Sequence, residues 1–216
     1  MSFAQRWLLL IVAVTIQSSG ITLVVKSFLG TSPISSLPYV MSFTFPLTLG
    51  ETTFAVNLLF ILGQFLILKK NFTGLHALQI PATMVFAYCI DLFMDIFRVV
   101  TPDAYWEKMA VLLFGASLVS LGISLQGIAD VLKLPGDGIV YAISETYHWD
   151  FGKVKTTNDV LLVSLALILS YVAMGDIEGI REGTVISALI TGAIARFFLL
   201  HLSTWKDGRR VLCLRF

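Results

Sequence analysis

The stretch "LGTSPISSLPYVMS", residues 29–42, reads as the start of a helix, yet it follows directly on an apolar run long enough to cross a membrane. Ser32 stands where a capping residue would, and Pro33 where the first helical residue would. A chain emerging into water has no need of a helix start there. The pattern therefore predicts a short helix dipping back into the membrane. Such a start carries unpaired N–H groups and roughly half a positive charge, which attract an anionic group. Irregular backbone at membrane depth is tolerated only where it is buried in protein or lines a cavity.

Composition supports a membrane reading. Of 216 residues, 56% are hydrophobic and 13% charged, and the mean hydropathy is +0.85. No soluble domain tolerates that balance. The net charge of +1 gives no reason to expect a nucleic-acid partner. Cys89 lies in an apolar run and Cys213 in the basic tail, without metal-site spacing, so both are expected to be free thiols.

Crossing a bilayer takes about 17–25 apolar residues, and six such runs are present, near 6–27, 52–69, 76–97, 107–128, 157–175 and 183–203. Arg6 precedes the first, Lys69 and Lys70 lie between the second and third, and Lys206, Arg209, Arg210 and Arg215 follow the sixth. The excess of basic residues puts these three places, and both termini, in the cytoplasm. Arg6, the apolar run and Ser18-Ser19-Gly20 also imitate a cleaved signal peptide. The run continues to Val25, which is long for one.

Sliding the chain against itself by 102 positions places "SSGITL" (18–23) on "SLGISL" (120–125) and the opening stretch on "VLKLPGDGIVYAIS" (131–144). Gly20 then meets Gly122, Pro33 meets Pro135, Tyr39 meets Tyr141, Ser42 meets Ser144 and Gly50 meets Gly152. Each half holds three spans, an odd number, so the halves enter the membrane in opposite senses. That is an inverted-topology repeat, a common construction of secondary transporters. Span one matches span four in this register, so both are expected to be permanent.

In the second copy Asp137, between Gly136 and Gly138, is placed to cap, and the glycines let the backbone bend toward a ligand. Two such starts facing each other would form a binding site. The expected substrate-binding residues are Ser32, Ser35 and Ser36 with Gly136, Asp137 and Gly138, joined by Gln17, Asn57 and Asp159 along the spans, where Asn57 aligns with Asp159. The competing reading is that Ser32 and Asp137 only cap.

At these residues the sequence resembles the YczE/YyaS/YitT family of bacterial membrane proteins. The resemblance rests on Gly30-Thr31-Ser32-Pro33, with "LPGDG" (134–138) and "GTVISALITG" (183–192) as second-half counterparts. It implies a polytopic inner-membrane protein with a transport role. Through relatives associated with vitamin B6 metabolism, it also suggests a ligand bearing an anionic or phenolate group.

Asp91, Asp95 and Arg98 share one helix face near the outer end of span three. They form either an interfacial cluster or, at Asp91, a gate or coupling carboxylate. Arg196 on span six is a candidate to hold an anion or to reach the cytoplasmic surface. Amides such as Gln64 and Asn158 either line the cavity or bond neighbouring helices, and Ser187, Thr191 and Ala195 make a small packing face. Neither a nucleophile–base set, nor H-E-x-x-H, nor a phosphate loop is present in the sequence, so no enzyme and no cofactor are expected.

The expected architecture is all-α and polytopic, with six transmembrane helices in two inverted three-helix repeats, 1–101 and 102–203, and a basic cytoplasmic tail, 204–216. Each repeat has a short re-entrant or interfacial helix between its first two spans. The expected function is secondary transport of a small anionic or zwitterionic organic metabolite, with a channel or a membrane-embedded scaffold as alternatives. The partners are that solute and the lipid bilayer of the bacterial inner membrane; a homodimer is left open.

Overall fold

The computed structural model describes residues 2–203. The basic tail, 204–216, and with it Cys213, lies outside the described residues. Nine α-helices occur among the described residues: α1 (Phe3–Lys26), α2 (Pro33–Thr44), α3 (Leu49–Leu68), α4 (Gly74–Ala77), α5 (Gln79–Ile96), α6 (Tyr105–Ala129), α7 (Pro135–Tyr147), α8 (Phe151–Met174) and α9 (Glu182–Ser203). No strand accompanies them. Cys89 is a free thiol.

Five helices, α1, α3, α5, α6 and α8, are long and apolar enough to cross a membrane. The sixth expected run coincides with α9, which has 22 residues. α3 and α8 expose apolar side chains along their length, among them Leu59, Leu62 and Leu66, and Leu161, Leu165 and Ile168. Rows of this kind would be an aggregation hazard in water and are ordinary against lipid. The chain is a polytopic helical membrane protein.

α8 starts at Phe151, ahead of the apolar run expected to begin near 157. Asp150 caps it by accepting from the Lys153 N–H, so two polar turns join the helix that hydropathy alone leaves out. Thr48 likewise starts α3 through a capping box with Glu51, ahead of the apolar run that begins near 52.

α1 and α6 pack on each other antiparallel, backbone against backbone. A Cβ on Gly20 would lie 2.6 Å from the Val119 nitrogen and 2.8 Å from the Gly115 oxygen; one on Gly122 would lie 2.9 Å from the Ala13 oxygen and 2.7 Å from the Gln17 Cβ. Small residues permit this approach and are the usual means of close helix pairing in lipid. The Gln126 amide donates to Gln17 across the same interface.

Each of these two helices then holds a further helix through hydroxyls. Ser18 and Thr22 of α1 donate to the carbonyls of Phe86 (3.3 Å) and Ile90 (3.5 Å) on α5. Ser120 and Ser124 of α6 donate to those of Thr191 (3.1 Å) and Ala195 (2.9 Å) on α9. In both pairs the sequence separation stays constant, at 68 and at 71, so α5 runs parallel to α1 and α9 parallel to α6. The small face expected on span six is the line along which α9 meets α6.

The turn after α1 is pinned to the start of α9. The Gly183 N–H donates to the Leu29 carbonyl at 2.8 Å, the Thr31 N–H to Thr184 Oγ1 at 3.2 Å, and Ser187 Oγ to the Thr31 carbonyl at 3.2 Å. Gly30 has φ +115, a conformation that an L side chain rarely adopts. α2 leaves this turn and packs on α8 and α3, while α7 packs on α3 and α8. Gly20→Val is expected to destabilise the protein by about 1–3 kcal/mol or more, because the added side chain meets backbone that cannot yield. A fall in the melting temperature of detergent-purified protein, larger than that of Gly192→Val, would show it; Gly192 has open space around it.

Candidate functional site

The first turn of α7 brings a carboxylate against α8. Leu134 precedes the helix and Pro135 opens it, which puts Asp137 at its third position. Lys155 of α8 bonds Asp137 Oδ1 at 3.1 Å and lies 3.5 Å from Asp159 Oδ1, one turn further along its own helix. All three are more than half buried, with side chains between 25% and 32% exposed. Ile139, Val140 and Val154 pack beside them with Phe60 and Phe151. One lysine serves two carboxylates, so the cluster carries a net negative charge when all three are ionised. The positive end of α7 offsets part of that charge at Asp137.

Asp137 was expected to cap α7 and does not. Its own N–H donates to the Leu134 carbonyl and its carboxylate faces Lys155, because Pro135 sets the helix start two residues upstream. Ser32 occupies the cap position of α2 without a side-chain capping bond. Its hydroxyl donates to Ser35 Oγ at 3.0 Å, and the Ser35 N–H is already taken by the Ser32 carbonyl. Ser36 Oγ donates to the Pro33 carbonyl at 2.6 Å. Gly136 and Gly138 are not a bend, as expected, but lie inside α7.

These glycines let neighbours come close. A Cβ on Gly136 would collide with the Ile34 side chain, and one on Gly138 would lie 2.9 Å from the Gln64 amide. Ile34 belongs to the first turn of α2, so the two helix starts touch. Gln64 donates to the Pro135 carbonyl at 3.3 Å and exchanges bonds with Gln79 at 3.1 and 3.2 Å, fixing the α7 start to α3 and α5. At the other start, Thr31 Oγ1 is buried without a hydrogen-bond partner.

The remaining expected residues scatter. Gln17 is held by Gln126 at the α1–α6 interface. Asn57 is buried on α3. Arg196 is exposed on α9. Asp91 accepts from Thr48 Oγ1 at 2.7 Å and from the Gly50 N–H at 2.8 Å, so its two oxygens serve the N-terminus of α3. Asp95 and Arg98 form no ion pair; among the described residues both ion pairs belong to Lys155.

Lys155 is the residue that sequence reasoning missed. Its four-residue spacing from Asp159 was visible and is that of a helical ion pair, but its contact with Asp137, 18 positions away, was not. Gln64 and Gln79 were likewise unreadable as a pair.

Lys155→Met is expected to lower thermal stability by leaving two carboxylates together, and Asp137→Asn in the same chain should restore part of it. A double-mutant cycle should give a coupling of about 0.5–3 kcal/mol; additive effects would show that the pair does not interact energetically. Asp91→Ala should cost about 0.5–2 kcal/mol through the lost α3 cap, read as a lower melting temperature.

A family model described as "Family of unknown function (DUF6198)" matches residues 4–199. The chain is 25% identical over 218 residues to the "Uncharacterized membrane protein YczE" of Bacillus subtilis (strain 168), covering 97% of this chain and 94% of the relative. It is 25% identical over 195 residues to an "Uncharacterized protein" of Haemophilus influenzae, covering 88% and 82%. These agree with the resemblance to YczE carried by the 30–33 turn. No solved structure matches the chain.

Proposed function

We propose that this chain, which belongs to the family of unknown function DUF6198, is a secondary transporter of a small anionic or zwitterionic organic metabolite. Transport proceeds by alternating access between two inverted halves of three spans each, 1–101 and 102–203, with α9 as the sixth span. Both termini face the cytoplasm of the inner membrane. A vitamin B6-type compound is one member of the substrate class.

The observation that carries this reading is the Asp137–Lys155–Asp159 cluster at the touching starts of α2 and α7. Charge inside the spans of a membrane protein is costly and is kept where a pathway needs it. An ion-paired Asp137 can exchange Lys155 for the cationic group of a zwitterion, and Lys155 can turn to an anionic one. The assignment uses no nucleophile, metal or cofactor, and transport without an enzymatic step is part of the proposal.

Supporting the inverted halves, positions 102 apart do the same work. Ser18 and Ser120, and Thr22 and Ser124, all donate to a parallel neighbour. Gly20 faces 115 and 119 while Gly122 faces 13 and 17. Phe28 and Asp130 both turn the chain with positive φ, 57 and 49. α2 sits on α8 as α7 sits on α3. Two such halves can rock about the α1–α6 contact.

The test is the thermal stability of detergent-purified protein against a panel of amino acids, organic acids and B6 vitamers, in wild type and Asp137→Asn. A substrate at about 100 times its Kd stabilises by about 2.7 kcal/mol, and the effect should vanish in Asp137→Asn while the ligand-free melting temperature changes much less. A ligand that stabilises both proteins equally would take Asp137 out of the site. A panel without effect would favour a channel or scaffold.

A further inference from the structure

An open cleft of about 490 Å³ lies between the 28–30 turn, the α2 side chains Tyr39 and Phe43, and the 176–181 turn that joins α8 to α9. Its volume is that of a small organic ligand site. Tyr39 and Phe43 form an edge-to-face pair with centroids 4.6 Å apart, and Phe28 is 47% exposed beside them. The wall is aromatic and the opposite rim is charged.

The 176–181 turn keeps its shape without its charged side chains, apart from Asp176. Ser170 Oγ donates to the Asp176 carbonyl and accepts from the Glu178 N–H, both at 2.8 Å. Asp176 Oδ1 is used by the Ile177 N–H at 2.7 Å. Gly179, at φ +79, rests against the Tyr39 ring. Glu178 and Arg181 are left over. They line one cavity with opposite charges, yet neither forms an ion pair with any described residue.

Opposite charges above an aromatic wall, the carboxylates of Glu178 and Asp176 against the Arg181 guanidinium, match a ligand that carries both signs itself. A pure cation would meet Arg181 as a like charge, and a pure anion would meet Glu178. An ammonium group can sit between Glu178 and the faces of Tyr39 or Phe43, while a carboxylate or phosphate takes the Arg181 fork. We propose that this cavity binds a small zwitterion with an apolar group, either a free solute resembling an amino acid or the headgroup of a zwitterionic lipid. The cavity shares Gly30 with the turn into α2, so it stands at the entrance to the helix start. Binding here does not depend on the transport reading.

The experiment measures Kd by calorimetry on the full chain in detergent for L-phenylalanine, phenethylamine and 3-phenylpropionate, which share a ring and differ in charge. L-phenylalanine should bind more tightly than either half. Glu178→Gln should weaken L-phenylalanine and phenethylamine about tenfold or more and spare 3-phenylpropionate; Arg181→Gln should do the reverse for the two halves. Both side chains are exposed, so melting temperatures should hold; Phe43→Leu, as a second kind of variant, should weaken all three ligands.

Absence of L-phenylalanine binding, equal binding of the three ligands, or indifference to both charge variants overturns the proposal. Loss of binding in Asp137→Asn alone also overturns it, and moves the ligand to the helix starts. Reconstitution in phosphatidylethanolamine or in phosphatidylglycerol separates the two sources. Competition by phosphatidylethanolamine against L-phenylalanine supports the lipid headgroup, and its absence alongside normal binding supports the free solute.

Discussion

The contact of α1 with α6 at Gly20 and Gly122 is the constraint from which the other helix positions follow. Lipid supplies no hydrophobic drive between helices, so association rests on packing and on interhelical hydrogen bonds. Without Cβ atoms at these two positions the backbones approach within van der Waals range. Once that pair is set, the hydroxyls of Ser18, Thr22, Ser120 and Ser124 point outward from it to carbonyls of α5 and α9. Each of these hydroxyls shares its one proton between that carbonyl and a nearer carbonyl of its own helix, as Ser18 does with Val14. None is left unsatisfied where water is absent.

Four further helices, α2, α3, α7 and α8, form a cross-packed group beside this core. Here polar groups are used differently. Gln64 and Gln79 tie three helices together around the Pro135 carbonyl, and Asp91 stabilises the start of α3 from α5. These are structural uses of groups that are expensive to bury, each matched to donors or acceptors. The Lys155 cluster differs because two carboxylates share one lysine, so its charges do not balance when all three are ionised. A structural ion pair is best served by equal charges. The imbalance makes this cluster the functional candidate.

Helices and their order were legible along the chain because hydropathy and helix-start residues act locally. Pro33 and Pro135 do open the short helices, and the 102-residue register marks positions with matching contacts. Boundaries slipped where polar turns extend a helix beyond its apolar run, as at Phe151, since a cap rather than hydropathy sets that end. The glycine pair was visible as a match in that 102-residue register, although what faced it was not.

The sequence by itself determined the membrane class, the proline-marked starts of the two short helices and the helix order, because each depends on neighbours within a few turns. Tertiary structure alone decided what the polar residues do. Asp91 became a cap for another helix, Asp137 a partner of Lys155, Ser32 a donor to Ser35, and Glu178 and Arg181 the unpaired rim of a cavity. Those roles depend on which groups meet through space across the lipid-excluded interior. One residue's spacing along the chain does not specify that meeting; the packing of whole helices does.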